Sequence, residues 1–373
     1  MNITAIEPSG NLYGSEFCLF DIIEGTRQTG MDWQVILPPE GGFAKLLEDH
    51  GIPTWKILRS SLHTRSRLER FFVYHRLRRW VLKSRPEVVY LNQAGMLRGV
   101  NFALRGTGIP LICQVQTLED ARLISGFPNE YSPVAAFIFN SFFVAEAAAV
   151  PATKRCVFYQ GCTAPFTPLQ FVAPAAGDCW KVGILGRIAV SKGHYVLLES
   201  TTLLLARGIK NFKVVVIGDG LLPADLERFQ EEVRNAGLNA HFEFRGYRRN
   251  VTEELGNLHF LVVPSLAEPL GRVLLDACAA GIPALVSESG GLGEFSRHFA
   301  VGWRFEAGNP AALTNAMMET MDSYEVRVME FKTMAANLLQ RLDPSSYFSS
   351  VENVLRNAAA GNESSVNWLG NSA

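Results

Sequence analysis

Short runs of apolar, mostly β-branched residues recur along the chain without the polar alternation of a half-exposed strand. Such runs are typical of parallel strands that are buried on both faces of a sheet. Amphipathic segments such as Tyr195–Arg207 and Pro223–Ala236 lie between many of them, and this repeated order predicts α/β domains with parallel sheets. The predicted strands are Ile3–Ile6, Trp33–Leu37, Thr54–Ile57, Val88–Leu91, Leu111–Val115, Phe137–Asn140, Val157–Tyr159, Lys181–Leu185, Lys213–Ile217, Phe242–Phe244, Phe260–Val263 and Ala284–Val286.

The order of strands and helices runs through the chain twice, and a length of 373 residues suits two domains. Residues 165–177, which include three prolines and show no clear period, separate the two passes. We therefore predict an N-terminal Rossmann-like domain at 1–168 and a C-terminal one at 178–343. A helix and polar tail at 344–373 could pack back on the N-terminal domain.

The formal net charge of −1 is the sum of a basic first half and an acidic second half. Residues 1–170 carry 17 basic and 14 acidic side chains, whereas residues 171–373 carry 18 and 22. Because a nucleic-acid-binding protein is usually far more basic, no nucleic-acid partner is expected. The six cysteines form no C-x-x-C pair and have no His at ligand spacing, so a structural zinc site is not expected. The start of the chain does not resemble a signal peptide, and no apolar run is long enough to span a bilayer, which favours a cytoplasmic protein.

One dense basic run stands out, because residues 59–85 hold nine Lys or Arg and the single acid Glu69. Apolar residues recur within it at helical spacing, namely Leu68, Phe71, Phe72, Leu77, Trp80 and Val81. A basic amphipathic helix with aromatic residues suits an anionic membrane surface, which would make the protein peripheral on the inner face of the membrane. The alternative is a domain helix whose apolar face lies in the core.

Open parallel sheets bind their ligands at the carboxyl ends of the strands, so the loops there hold the candidate site residues. The first such loop brings Gly14 and Ser15 to a helix start, where backbone N–H groups can approach a phosphate, although a simple turn explains it equally well. In the second half, Arg187 and Lys192 follow one strand within one loop. A guanidinium fork and an ammonium group together suit a diphosphate, although a solvated loop is the alternative for the isolated pair.

The strongest segment is 264–283, in which a buried strand is followed by an acid, a glycine and a helix. Glu268 precedes the helix, Gly271 permits close approach of the backbone, and Asp276 lies more than a turn into the helix. Two carboxylates in this arrangement can contact different parts of one ligand. The Gly-Asp-Gly sequence at 218–220 is interpreted as turn chemistry.

These motifs, most specifically 186–192 and 268–291, resemble those of the retaining nucleotide-sugar glycosyltransferases of family 4, the group 1 type. The resemblance extends from Gly14 to about Asp343. It implies a GT-B fold, in which two Rossmann-like domains have parallel sheets facing across a deep cleft. The implied reaction moves a hexosyl unit from a UDP- or GDP-type sugar to a hydroxyl of a saccharide or lipid-linked acceptor, with retained anomeric configuration. The resemblance implies neither a cofactor nor a metal, since side-chain cations would stabilise the charge that a divalent ion stabilises elsewhere. The setting would be cell-surface polysaccharide or glycolipid synthesis.

The resemblance also implies roles for individual residues. Arg187 and Lys192 would bind the diphosphate and stabilise the leaving group, and Glu268 would contact the donor sugar; these three are the candidate catalytic residues. Asp276 would hold the ribose hydroxyls, and Tyr247 would lie near the base. The full set of candidate substrate-binding residues is Gly14, Ser15, Gln116, Asn140, Tyr247, Leu270, Gly271, Arg272 and Asp276.

Two positions depart from the family pattern. The second acid of the E-x7-E motif is Asp276, which is one methylene shorter than Glu, and Gln116 stands where many relatives have a His. These departures leave open a catalytically altered protein that only binds nucleotide sugars. A nucleotide-sugar epimerase on the same scaffold would need further acids and a His that the sequence does not provide, and a dinucleotide oxidoreductase would need a G-x-G-x-x-G spacing that the first loop lacks.

Overall fold

The structure is a computed structural model, and it describes residues 1–58, 66–126, 133–161, 167–175, 177–248, 250–362 and 366–368. The chain divides into two compact units, one formed by residues 1–161 and 342–373 and the other by residues 162–341. Each unit is an α/β domain with one parallel sheet. Within the described residues, no helix has both the length and the apolar character needed to cross a membrane.

The strands confirm the predicted pattern, with bounds that differ by up to three residues. They are β1 Asn2–Ile6, β2 Asp32–Leu37, β3 Thr54–Lys56, β4 Val88–Leu91, β5 Leu111–Val115, β6 Val134–Phe139, β7 Arg155–Phe158, β8 Trp180–Leu185, β9 Phe212–Ile217, β10 Phe242–Gly246, β11 Phe260–Val263, β12 Ala284–Ser287, β13 Trp303–Phe305 and β14 Val366–Trp368. Strands β13 and β14, which are short edge strands, were not predicted from the sequence.

The helices connect successive strands in both units. They are α1 Gly14–Thr26, α2 Phe43–Asp49, α3 Arg67–Ser84, α4 Leu97–Leu104, α5 Leu118–Ser125, α6 Phe142–Glu146, α7 His194–Ala206, α8 Pro223–Asn235, α9 Val251–Gly256, α10 Arg272–Ala280, α11 Gly290–Phe299, α12 Pro310–Asp322, α13 Tyr324–Arg341 and α14 Pro344–Ala359.

The first unit has eight strands in the order β14-β7-β6-β5-β4-β1-β2-β3. Every residue of β4 and β5 is buried, because helices cover both faces of the sheet. Helix α14 packs on this unit beside α1, and it buries Tyr347, Val351 and Leu355 in the core on that side. The chain therefore returns to its first unit after it completes the second.

Helix α3 contains most of the basic run, whereas residues 59–65 lie outside the described residues. The helix begins at a capping box in which Ser66 and Glu69 bind each other's backbone N–H groups. Its buried face carries Val73, Leu77 and Val81, so the domain-helix interpretation is right for this part. The first turns differ, because Leu68, Phe71 and Phe72 are all exposed there.

The second unit has six strands in the order β10-β9-β8-β11-β12-β13. Helix α10 follows β11 and ends at Ala280, and Gly281 forms its C-cap with a positive φ of 70°. The carboxyl ends of β8, β9, β10 and β11 lie at one edge of this parallel sheet. The loops that contain the candidate residues of this unit leave from that edge.

Candidate active site

The centre of the second unit's site is an ion pair between residues that lie 76 positions apart. The Lys192 ammonium donates to Oε2 of Glu268 over 2.6 Å, and the Ser265 hydroxyl donates to the same oxygen over 2.9 Å. Glu268 is only 9% exposed, so its carboxylate is largely removed from water and held by named donors. Two of the three residues predicted to be catalytic therefore contact each other directly.

Backbone bonds hold the two loops of this ion pair together. The N–H of Leu266 donates to the carbonyl of Ser191 over 2.8 Å. Gly193 then adopts φ 76°, and a Cβ atom at this position would lie 1.9 Å from the carbonyl oxygen of Pro264. Glycine is thus required for both the backbone conformation and the close approach of the two loops.

Arg187 occupies a different position from Lys192. Its side chain is exposed, and it makes no ion pair within the described part of the chain. Its loop is fixed to the next one by the N–H of Ile188, which donates to the carbonyl of Asp219 over 2.9 Å. The site therefore combines one cation paired with a buried carboxylate and a second cation that faces solvent.

The N-terminus of α10 adjoins the Glu268 loop. Gly271 is the N-cap with φ 95°, and a Cβ atom there would lie 2.6 Å from Leu292. The carbonyl of Glu268 accepts the N–H of Gly291 over 2.8 Å, which ties the loop to the start of α11. Leu270 is buried, and Arg272 is the first residue of the helix. The first-turn N–H groups and the helix dipole make this terminus favourable for an anion.

Asp276 lies one turn after Arg272 on α10 and is half-buried. Removal from water raises the pKa of its carboxyl from 3.8 to about 6, and the charge of Arg272 opposes this shift. Near pH 6 this carboxyl therefore exchanges between an ionised form that only accepts hydrogen bonds and a protonated form that can donate one.

Tyr247 lies at the end of β10 with 49% of its surface exposed. Its backbone N–H donates to the Asp219 carboxylate over 3.1 Å, and the N–H of Gly218 donates to the carbonyl of Gly246 over 2.9 Å. The Gly-Asp-Gly turn therefore fixes the Tyr247 loop. The sequence analysis found the turn but missed this anchoring role of Asp219.

In the first unit, polar side chains from adjacent strands form one hydrogen-bonded row along the carboxyl edge of the sheet. Asn140 donates to the carbonyl of Gln116 over 3.0 Å, and Gln116 donates to Oδ1 of Asn92 over 3.2 Å. Asn92 in turn donates to the carbonyl of Ser15 over 3.0 Å and to Glu7. Three predicted residues, Ser15, Gln116 and Asn140, are thus joined in one row.

Glu7 and Gln93 also belong to this row, and sequence reasoning missed both of them together with Asn92. Glu7 follows β1 directly, and Asn92 and Gln93 are the first two residues after β4, which is the signal that could have found them. Glu7 is fully buried. Burial raises the pKa of its carboxyl from 4.5 to about 8, and the nearby carboxyl of Glu16 adds to the shift.

No cluster of three or more metal-ligating side chains occurs among the residues that the structure describes. Among the described residues, Arg187, Lys192 and Arg272 bring positive charge to the second unit's site.

Two family models match the chain. The model of glycosyl transferases group 1 matches residues 167–332, and the model of a glycosyl transferase 4-like domain matches residues 14–157. Together these matches span most of the chain, which therefore belongs to the group 1 glycosyltransferases, as its motifs predicted.

Individual relatives agree with this family. The chain is 35% identical to the putative glycosyltransferase EpsF of Bacillus subtilis over 114 residues, which is 31% of this chain and 29% of EpsF. It is 22% identical to the lipopolysaccharide core biosynthesis glycosyltransferase LpsD of Rhizobium meliloti over 84% of this chain and 86% of LpsD. The alignments with several curated relatives, EpsF included, thus span less than a third of their length.

Among solved structures, HepE of Anabaena in complex with UDP and glucose has a TM-score of 0.80 to this chain. The likeness covers 96% of this chain and all of HepE at 20% identity, and it is a likeness of fold. It confirms the predicted GT-B fold class with two parallel-sheet α/β domains.

Proposed function

We propose that the protein is a retaining glycosyltransferase that moves a hexosyl unit from a nucleoside-diphosphate sugar, of UDP or GDP type, to a hydroxyl of a saccharide or lipid-linked acceptor. The observation that carries this proposal is the Lys192–Glu268 ion pair beside the N-terminus of α10. A cation, a buried carboxylate and a helix start offer complementary groups to a diphosphate and to a sugar hydroxyl. The relatives support a role in cell-surface polysaccharide or glycolipid synthesis, since LpsD is named for lipopolysaccharide core biosynthesis.

Each residue of the site has a role in the proposed transfer. As the bond between the sugar and the diphosphate breaks, negative charge grows on the β-phosphate. Arg187 and Lys192 neutralise this charge, and the first-turn N–H groups near Leu270, Gly271 and Arg272 add hydrogen bonds.

In the first unit, Gly14 and Ser15 contact the phosphates, and Gln116 and Asn140 line the donor-sugar position. The acceptor hydroxyl attacks the face that the leaving group vacates and gives its proton to the departing phosphate, which retains the anomeric configuration. In this proposal, side-chain cations and helix N–H groups stabilise the negative charge on the leaving phosphate, so the transfer proceeds without a metal or cofactor.

The experiment that tests this proposal has two stages. A thermal-shift screen against UDP, GDP, ADP and their sugars identifies the donor, because a ligand that binds the folded state raises the melting temperature by mass action. Incubation of the protein with that donor in labelled form and a panel of saccharide and lipid-linked acceptors then reports the reaction. Transfer or slow hydrolysis supports the proposal. An epimerised sugar or an absence of binding contradicts it.

A second candidate function is binding of a nucleotide sugar without transfer. The replacement of the family's Glu by Asp276, and of its His by Gln116, favours this candidate. Donor binding with no turnover on any acceptor would support it over the enzyme.

The carboxyl of Asp276 predicts that donor affinity depends on pH. If its carboxylate accepts hydrogen bonds from the ribose hydroxyls, the ionised form binds the donor and the protonated form does not. The pKa of about 6 then predicts that donor affinity falls as the pH decreases through 6. At pH 5 the affinity should be about tenfold weaker than at pH 7, because nine in ten carboxyls are then protonated.

This pH dependence is measured by calorimetry with UDP-glucose, or with the corresponding sugar of whichever nucleotide binds in the screen. A nucleoside diphosphate sugar is preferable to the free diphosphate, because a terminal phosphate itself titrates near pH 6. The Asp276→Asn variant should bind weakly and with a flat pH profile. An inflection near pH 6 that persists in this variant would assign the titration to another group.

We further propose that the first turns of α3 contact an anionic membrane surface peripherally, within the region 59–85. Leu68, Phe71 and Phe72 are exposed there beside the exposed Arg67 and Arg76. Apolar side chains can insert among the acyl chains while arginines bind lipid head groups. A membrane-borne acceptor would then be delivered to the unit that carries this surface.

The double variant Phe71→Ser/Phe72→Ser tests this contact. Because both rings are more than half exposed, their loss should change the free energy of unfolding by less than about 0.5 kcal/mol. Sedimentation with vesicles of phosphatidylglycerol at low salt should nevertheless decrease at least about tenfold. The matched control is Met329→Ser, which removes an apolar side chain of the second unit that is 68% exposed, as Phe72 is. Equal sedimentation of the wild-type protein and the double variant would contradict the proposal.

A further inference from the structure

The first unit buries a carboxyl group that no step of the proposed reaction uses. Oε1 of Glu7 accepts the N–H of Ser9 over 2.8 Å and the side-chain amide of Gln93 over 2.9 Å. Oε2 accepts the side-chain amide of Asn92. Glu7 has no exposed surface, so it contacts neither solvent nor a substrate and can act only through these neighbours.

Gln93 connects Glu7 to the start of α1. Its Nε2 donates both to Glu7 and, over 3.2 Å, to the hydroxyl of Ser15. That hydroxyl donates to Glu16 over 2.8 Å, and Glu16 also accepts the N–H of Tyr13 over 3.2 Å. A chain of hydrogen bonds that ends at Glu7 therefore fixes the first turn of α1.

Within the part of the chain that the structure describes, two charged groups act on Glu7, and both are acidic. They are the carboxyls of Glu16 on α1 and of Asp120 on α5, and each raises the pKa of Glu7 in addition to the larger effect of burial. With a pKa of about 8, Glu7 is mostly protonated at pH 7 and mostly ionised at pH 9. Ionisation places a second full negative charge near Glu16, behind the N-terminus of α1.

We propose that Glu7 is a positioning residue for the donor: it holds Gln93 against Ser15, and its neutral form keeps additional negative charge away from the helix start that binds phosphate. This inference rests on the proposed function, which assigns Gly14 and Ser15 to the donor phosphates. The bond from Gln93 to Oε1 is the same in both protonation states. A protonated carboxyl and a glutamine amide each offer one acceptor oxygen to Gln93 and carry no charge, so Glu7→Gln mimics the neutral form of Glu7.

The sign of the pH effect follows from charge. Above pH 8 the ionised Glu7 repels the donor diphosphate, so donor affinity falls as the pH rises. By linkage, a bound diphosphate raises the pKa of Glu7 further, and binding near pH 8 takes up protons from the buffer.

The test compares the wild-type protein with Glu7→Gln, which keeps the size of the side chain but cannot ionise. Calorimetry with UDP-glucose, or the sugar of the nucleotide found in the screen, is run from pH 6.5 to 9.5. The wild-type affinity should fall at least about threefold between pH 7 and pH 9, as expected for a nearby charge in a partly screened site. The affinity of Glu7→Gln should change less than about twofold over that range, and its binding enthalpy near pH 8 should no longer depend on the buffer's ionisation enthalpy.

Two further variants separate positioning from a general effect on the fold. Glu87→Gln alters an exposed acid of the same unit that accepts the N–H of Asn2, and it should follow the wild-type pH profile. Glu7→Leu removes the bonds to Gln93 and should weaken donor binding about tenfold at pH 7, whereas Glu7→Gln restores it. If donor affinity depends on pH in the same way in the wild-type protein and in Glu7→Gln, the proposed role of Glu7 is wrong, whereas the proposed donor site is unaffected. Failure of the wild-type protein to bind any nucleotide sugar would overturn both proposals.

Discussion

Replacement of Lys192 by alanine is expected to lower kcat for transfer about 10²–10³-fold, the typical cost of removing one preorganised group from a developing negative charge. The ammonium is already fixed in the protein, because it lies 2.6 Å from the Glu268 carboxylate. It therefore requires little reorganisation when charge grows on the leaving phosphate. Initial rates measured with saturating donor and acceptor report this loss, and Arg187→Ala should show a loss of the same order.

The alanine variant also leaves Glu268 without its cation, so a second variant must separate the two effects. In Lys192→Ala/Glu268→Gln the buried charge is removed together with its partner. Because Glu268 is itself a candidate catalytic residue, the reference is Glu268→Gln alone: if Lys192 acts on the donor, the double variant turns over about 10²-fold more slowly than Glu268→Gln. Equal turnover of these two variants would show instead that Lys192 serves only to neutralise Glu268. Lys213→Ala, which removes an exposed lysine on β9, is the matched control and should retain wild-type turnover.

The sequence could predict this site because parallel strands bring distant loops to one edge of a sheet. Lys192 follows β8 and Glu268 follows β11, and these strands are neighbours in the second sheet. Buried apolar runs indicated the strands, and the glycines indicated where the backbone turns sharply or approaches another loop. The family resemblance, rather than the spacing, supplied the chemical role of each residue.

The row of polar residues in the first unit was harder to predict. Glu7 follows one strand, and the adjacent polar residues Asn92 and Gln93 follow another, a pattern that also fits an ordinary turn. Their importance depends on which side chains meet once β1 and β4 pair in register, with Ile6 beside Leu91. Their pKa values depend on burial, which the sequence pattern does not contain. Strand β13 escaped prediction because its three residues, Trp-Arg-Phe, form no apolar run.

The basic run shows a different limit of sequence reasoning. The apolar residues of the run were treated as one amphipathic set, and both interpretations applied to the whole set. The structure divides it, because Leu77 lies in the core while Leu68 and Phe72 are exposed. Only the packing of α3 against α4 and the sheet decides which residues the domain itself covers.

Gly193→Ala is expected to have the largest effect on stability of any single substitution at the site. The positive φ of 76° alone costs about 1 kcal/mol for alanine. The new Cβ would also lie 1.9 Å from the carbonyl oxygen of Pro264, which is backbone and cannot rotate away. The two loops must then separate, so the free energy of unfolding of the second unit should fall by about 3 kcal/mol or more.

Gly237→Ala isolates the effect of collision from that of backbone strain. Gly237 lies in the same unit with φ 69°, and a Cβ atom there would meet nothing within 4 Å. Urea denaturation should therefore give a loss of about 1 kcal/mol for Gly237→Ala, and the difference between the variants measures the contact between Gly193 and Pro264. Because this contact holds Lys192 beside Glu268, Gly193→Ala should also lower kcat under conditions in which the variant is fully folded. Equal destabilisation by the two substitutions, with turnover unchanged, would mean that the loops can separate without displacing Lys192 from Glu268.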